Sequence, residues 1–412
     1  MTTSKPLFVY LQRPDTGDWI TVGRYLQGDD GAGRFRYAPS YLDASLPWSI
    51  DPINVPLVSG VTEHLAYRYH GLHDVLRDTC PDSWGRLLLQ REFQLSENAH
   101  DIDYLRLARN GDRWGALAVG TSRRPSVDLL RSPKLLQLES LSEELLAIYE
   151  RRPPVDARMR KMLMTTPSMG GARPKGTLRD GEEYWLVKPL LPSDTADIPL
   201  LEHFALGWGA ASGMRFARSV HHRADSGLST IRIHRFDRHG DRRSMAISAA
   251  SLLSTEYPAG QRADWSYPQL AQALQQIGAP HKDRIELFER MVFNAIVGND
   301  GDHPRNHAAI YDAEHSLWRL SPAFDVVPNP DGEPRALSMQ LSHGRFDISR
   351  DAVLAEAWHF GFDTLADAEI HLDSLLERIR TAFQTLEVEL PDALRQLLSR
   401  RLARVGEILH RN

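Results

Sequence analysis

Apolar positions along this chain keep two different periods. In roughly the first 120 residues the period is close to two: "LFVYL" from Leu7 and "WITVGRYL" from Trp19 read as strands, with turn residues between them. Helical spacing enters near 85–91 and again near 142–151, and "RRPPV" from Arg151 is a linker-like break. "MTTPSMGGARPKGTLRDGEEYWLVKP" then reads as loop, Gly-rich turn, strand, turn, strand, with Asp180-Gly181 as the hairpin signal. Leu201, Phe204, Ala205, Trp208 and Ala211 share one helical face, and "STIRIHRFDR" returns to a strand with Ile231 and Ile233 on one side.

From about residue 240 the helical period dominates. Ser266 followed by Tyr-Pro-Gln has the form of a helix N-terminus with Pro in its first turn. Ile285, Phe288, Met291, Val292, Ala295 and Ile296 form the apolar face of a helix that stops at Gly298. The polar loop "GNDGDHPRNH" follows. "HAAIYD" and "LWRLSPAF" then read as two short strands, and the last stretch is amphipathic helix. A β-rich half followed by a helical half predicts an α+β protein in two lobes rather than alternating βα units. The expected segments are 1–150, 151–240 and 241–412.

Composition narrows the classes. The chain has 412 residues, 42% hydrophobic and 25% charged, as in an ordinary globular protein. A net charge of −5 argues against a broad nucleic-acid footprint, so any DNA contact is expected through a partner. A single cysteine, Cys80, excludes an intrachain disulfide and argues against a cysteine-rich zinc site. The start "MTTSKPLFVYLQRP" lacks a signal-peptide stretch and no run reaches the roughly 18 apolar residues of a membrane span, so the expected setting is the cytoplasm.

Four stretches carry candidate chemistry. "SMGGARPK" from Ser168 to Lys175 pairs glycines with a cation, which suits phosphate contact by backbone N–H groups; alone it reads equally well as a plain turn. Lys188 lies inside the apolar strand "WLVKP" and needs a charge partner, for which Glu202 and a bound phosphate are candidates; the alternative is an edge Lys reaching water. Asn306 in the polar loop and Asp325 in "SPAFDVV" offer the hard oxygen ligands that Mg²⁺ takes, although single acids of this kind are more often turn or cap residues. The order of these parts is that of a protein-kinase-like phosphotransferase.

The ordered set resembles the HipA family, the kinase toxins of HipA–HipB toxin–antitoxin modules. "SMGGARPK", "WLVKP", "IRIHRFDR", "GNDGDHPRNHA" and "LSPAFDVVP" are similar to that family's Gly-rich loop, ATP-anchoring strand, hinge, catalytic loop and metal loop. "FRYAPSYL" and "DTCPDSWGRLLLQR" resemble its N-terminal subdomain. The resemblance implies a two-lobed HipA-type kinase fold, with a β-rich N-terminal lobe, an extra N-terminal subdomain and a helical C-terminal lobe. It implies ATP and Mg²⁺ as cofactors and transfer of the γ-phosphate to a Ser or Thr. It places Met169, Gly170, Gly171 and Ala172 over the phosphates, with Lys175 nearby, and Lys188 on the α- and β-phosphates. Phe236 falls at the adenine hinge and Asp237 near the ribose. Asn306 and Asp325 would hold the metal, His303 would brace the catalytic loop, and Ser168 would be a regulatory autophosphorylation site. The implied partners are a HipB-like helix-turn-helix antitoxin and a protein substrate such as an aminoacyl-tRNA synthetase, with growth arrest as the outcome.

One position departs. The family loop reads Asp-x-His-x-x-Asn with the Asp as catalytic base, and counting back from His303 and Asn306 puts Gly301 there. Asp300 and Asp302 are each one residue off, and Asp302 fills the variable position. Three readings compete: an inactivated kinase, a pseudokinase that keeps nucleotide or partner binding as co-repressor or scaffold, and a loop shift that lets Asp300 or Asp302 serve as base. A small-molecule kinase is a weaker alternative, because there the His precedes the acid position and the long N-terminal part is unexplained.

Overall fold

The computed structural model describes residues 5–44, 47–165, 171–257 and 262–410. The chain divides into two compact units. The first holds residues up to Pro189 together with His234–Glu256 and Ile310–His315; the second holds Leu190–Ile233, Tyr257–Ala309 and the chain from Ser316 on.

In the first unit, β1 (Leu7–Gln12), β2 (Trp19–Gln27), β3 (Gly33–Tyr37), β4 (His64–Ala66) and β5 (Leu117–Gly120) form an antiparallel sheet of order β4-β3-β2-β1-β5. Val9, Val22, Tyr25, Phe35 and Leu117 are all buried within it, as the period-two pattern requires. The early region is less purely β than the pattern predicts. Short helices Asp74–Asp78 and Asp101–Leu107 flank the longer helix Ser83–Phe93. The expected helix near 142–151 is Leu138–Tyr149, and a further helix, Ala157–Thr165, occupies a basic stretch with only two buried residues, Met159 and Leu163.

β6 (Gly176–Asp180) and β7 (Glu183–Pro189) form the predicted hairpin. Asp180 pairs with Glu183, so the turn residues are Gly181 and Glu182, and Gly181 supplies the positive φ of 61° that the first turn position requires. Gly176 opens β6 beneath two helices: a Cβ there would sit 3.2 Å from the side chains of both Leu141 and Leu163.

In the second unit, helix Ile198–Ala211 starts at Asp197, whose carboxylate accepts the Leu200 N–H at 3.1 Å. Its Trp208 packs against Phe293 and Phe383, ring centroids 5.3 and 4.8 Å away, and its indole N–H donates to the Ile379 carbonyl at 2.8 Å. β8 (Ser219–Arg223) and β9 (Ser229–His234) form a second hairpin. Ser266 caps helix Tyr267–Gln276 as predicted, accepting the Gln269 N–H at 3.3 Å. Helix His281–Val297 buries Phe288, Met291, Val292 and Ile296 and ends at Gly298, where φ is 71°. The strand Leu317–Leu320 and the long helices Leu365–Leu386 and Asp392–Leu409 also belong to this unit. Among the described residues no helix is long and apolar enough to cross a membrane.

Candidate active site

The first unit carries the residues expected to meet nucleotide. Ser168, Met169 and Gly170 lie outside the described residues. The remainder of the Gly-rich stretch, 171–175, runs directly into β6. Gly171 adopts φ 66°, and the Lys175 ammonium lies 3.3 Å from where a Cβ on Gly171 would stand. A curled backbone with one cation folded over it is a composition suited to an anion. Both ends of the segment are tied to one residue that sequence reasoning did not single out. The backbone N–H of Trp84 donates to the Gly171 carbonyl at 3.2 Å, and its indole N–H donates to the Lys175 carbonyl at 3.0 Å. Ala172 is exposed, whereas Lys175 and Lys188 are each only 4% exposed. Ammonium groups that deep require compensating negative charge.

In the hinge-like motif at 235–238 the Asp237 carboxylate is buried, and both its oxygens are engaged inside the first unit. Arg235 donates to them at 3.0 and 2.8 Å, and the Gly115 N–H donates at 3.0 Å. The other side of the Arg235 guanidinium meets Asp112 and, at 3.1 Å, Thr177 on β6. Thr177 in turn donates to Asp112 at 2.9 Å. Burial raises the Asp237 carboxyl, but Arg235 outweighs it and holds the group below its ordinary value. Neighbouring Arg238, equally buried, is pushed down to about 10 by desolvation and by Arg235. Asp237 is thus an anion that ties the motif to Gly115 and, through Arg235, to β6, with both carboxylate oxygens already bonded. Half-buried Phe236 stands beside it.

The second unit carries the loop. After Gly298, the Asn299 N–H returns to the Asn294 carbonyl at 2.9 Å, and the Asn329 N–H donates to the Gly298 carbonyl at 3.0 Å. Arg401, 1% exposed on the last helix, donates to the Val297 carbonyl at 3.0 Å and also to the carbonyls of Asn329 and Gly332. The start of the loop therefore rests on a buried guanidinium from far downstream in the chain.

The three loop positions around the expected base differ sharply. Asp300 accepts from the Asn329 side-chain amide at 3.0 Å, while its carbonyl accepts the Ser338 hydroxyl. Asp302 is 1% exposed; it accepts the Tyr267 hydroxyl, and His307 Nε2 lies 2.8 Å from the same oxygen. Asn294 donates to the Tyr267 oxygen at 3.0 Å. Burial, reinforced by Asp302, pushes the Tyr267 hydroxyl well up, so it remains a donor at neutral pH. Asp302, expected among the catalytic residues, stands as a buried bracket between Tyr267 and His307. Gly301 between the two acids is exposed and has no left-handed φ, and among the described residues, its chain neighbours aside, no atom lies within 4 Å of where a Cβ would stand.

The His303 ring lies against Tyr257, centroids 4.1 Å apart and planes tilted by 39°, and the Asn306 N–H donates to the His303 carbonyl at 2.8 Å, closing the turn Pro304–Asn306. That arrangement suits a bracing role. Asn306 is largely buried. Asp325 has φ 58°, a left-handed conformation that costs a non-Gly residue energy and recurs at functional positions. The segment before it is fixed by Ala323, whose N–H donates to the Arg215 carbonyl and whose carbonyl accepts the Ala217 N–H, each at 2.8 Å. Asn306 and Asp325 offer two oxygen-bearing side chains of the type Mg²⁺ selects. Glu202 is buried on helix Ile198–Ala211.

The fold is of the HipA type, mixed α and β. Residues 167–389, more than half of the chain, match the family model described as "HipA-like C-terminal domain", and the chain belongs to that HipA family. Among solved structures, a chain of the Shewanella oneidensis MR-1 toxin–antitoxin complex of HipA, HipB and operator DNA aligns with TM-score 0.70 at 15% identity, covering 98% of this chain and 100% of that one. The Helicobacter pylori proinflammatory kinase CtkA aligns with TM-score 0.45 at 12% identity, over 57% of this chain and 90% of that one. Comparison with curated protein sequences finds no match.

Proposed function

We propose that this chain is a HipA-type toxin built as an ATP-dependent Ser/Thr protein kinase, with its transfer step silent as the sequence stands. One observation carries the second clause. The position expected of the base is Gly301, and both flanking carboxylates are already engaged, Asp300 by Asn329 and Asp302 by Tyr267 and His307. The loop-shift reading would have to break one of these sets of bonds. The same observation favours the related reading of a pseudokinase that keeps its partner and loses its chemistry.

In this reading Lys188 and Lys175 neutralise the phosphates, and Glu202 balances the Lys188 charge. Segment 168–172 covers the phosphates, Phe236 borders the adenine and Ser168 is the self-modified residue. Asn306 and Asp325 would hold Mg²⁺, which when bound supplies charge neutralisation on the phosphates. The substrate hydroxyl then lacks a proton acceptor, a loss that costs on the order of 10²–10⁴ in rate. The partner is a HipB-like helix-turn-helix antitoxin, as in the Shewanella complex of HipA with HipB, and DNA is reached only through it. The cytoplasm is the proposed setting, and a translation component such as an aminoacyl-tRNA synthetase the proposed protein substrate. Calorimetric titration with ATP and Mg²⁺ tests the reading. Saturable binding that Lys188→Met abolishes is expected, and a folded chain that takes up no nucleotide would rule it out.

A further inference from the structure

Trp84 lies in the first turn of helix Ser83–Phe93, and its side chain is 1% exposed. The same helix buries Leu88 and Leu89, and Leu89 packs with Tyr104 and Ala108, so its position is set by the apolar interior of the first 150 residues. From that fixed point Trp84 uses both of its N–H groups on one short segment, at Gly171 and at Lys175. A trans peptide points its C=O and the following N–H in opposite directions. Turning the Gly171 carbonyl toward Trp84 therefore turns the Ala172 N–H away from it, on the exposed side of the segment. Outward-facing N–H groups are what a backbone anion site needs. The Lys175 carbonyl bond fixes the other end, at the residue whose ammonium folds over Gly171.

We propose that Trp84 is a positioning residue: it presents segment 171–175 to the nucleotide phosphates, so that the N-terminal part of the chain sets nucleotide affinity without touching nucleotide. The proposal rests on the kinase reading above. Its test is Trp84→Phe, which removes the indole donor, compared with Trp208→Phe in the second unit. Trp208 is equally buried and also donates its indole N–H to a carbonyl, that of Ile379, so the control loses the same kind of bond away from the segment.

Binding of ATP with Mg²⁺ is measured by calorimetry on all three full-length chains, with thermal melting and with hydrogen exchange of 171–176 in the free proteins. Trp84→Phe should weaken ATP binding about fivefold to tenfold, the range expected for one lost hydrogen bond. It should also speed exchange in 171–176, while Trp208→Phe stays within about twofold of wild type in affinity at a comparable loss of melting temperature. Equal affinity of Trp84→Phe and wild type overturns the proposal, and so does an equal affinity loss in both variants. If Trp84→Phe fails to fold, a benzothienylalanine at position 84, which keeps the ring shape and lacks the N–H, takes its place, and the same two affinity results overturn the proposal. A wild-type chain that binds no ATP sinks the kinase reading and the affinity claim with it. Unchanged exchange in the variant sinks the claim of positioning alone.

Discussion

The two units hold their chemistry-bearing segments by different means. In the first, segment 171–175 is tied at its two ends by the neutral N–H groups of one tryptophan. In the second, the loop after Gly298 is set in a bed of buried charge and hydrogen bonds: Arg401 under its start, Asn329 and Ser338 on Asp300, Tyr267 and His307 on Asp302. In the proposed reading segment 171–175 covers phosphates and must admit and release a ligand. In the same reading the loop aims a metal ligand and must stay still. That bed holds the loop in place around the exposed Gly301. The contrast predicts that changes at the anchor of segment 171–175 move affinity, whereas changes beneath the loop move stability.

The largest effect should come from Arg401→Leu. It leaves the carbonyls of Val297, Asn329 and Gly332 without their donor in a buried place, and about 3–5 kcal/mol of unfolding free energy should be lost. Urea denaturation measures it, and a loss under about 1 kcal/mol would mean that the loop does not depend on this bed. Next is Asp302→Asn. The amide keeps one acceptor but sets an NH₂ group among the donors Tyr267 and His307, at a cost of about 1–3 kcal/mol. If Asp302 were instead a working base, the substitution would spare stability and abolish transfer.

The smallest effect separates the first unit by pH. Asp51 is fully buried there, and burial pushes its carboxyl up to about 7, although the N–H groups of Asn54 and Ile53 and the Asn54 side-chain amide all donate to it. Its folded value lies above the ordinary 3.8, so the folded chain holds an extra proton between the two. That contribution is fully present below about 3.8 and is lost as pH rises through about 7. Asp51→Asn should flatten the fall in melting temperature between those limits; parallel profiles for the two chains would refute the assignment.

Much of the fold was legible because its signals are local. The turn at Gly181, the Ser266 cap and the stop at Gly298 each depend on a few neighbouring residues, and each stands where the pattern put it. The helix Ala157–Thr165 did not show, because its arginines and lysine mask an apolar face only two residues wide. The supports of the site were not legible for a different reason. Trp84 meets Lys175 across 91 positions, Arg235 meets Asp112 across 123, and Arg401 meets Val297 across 104. Local spacing carries no information about such pairs. The burial of two acids was not legible either: an acid inside a polar motif reads as exposed, yet Asp237 and Asp302 are both buried and bonded. Their neighbours Arg235 and His307 were the available hint, since a buried carboxylate needs donors close by.

The central claim is that a kinase-type loop stands intact here and lacks only its base. Among the described residues nothing crowds a Cβ at position 301, and its φ is not left-handed, so a side chain can be introduced there. Labelled ATP and Mg²⁺, incubated with the wild-type chain, Gly301→Asp, and Gly301→Asp combined with Lys188→Met, test it directly. The prediction is phosphate transfer, to Ser168 or to an added protein, that rises about 10²-fold or more in Gly301→Asp and vanishes in the double variant. Wild-type transfer equal to that of Gly301→Asp, or none in a folded Gly301→Asp chain that binds ATP, would contradict it.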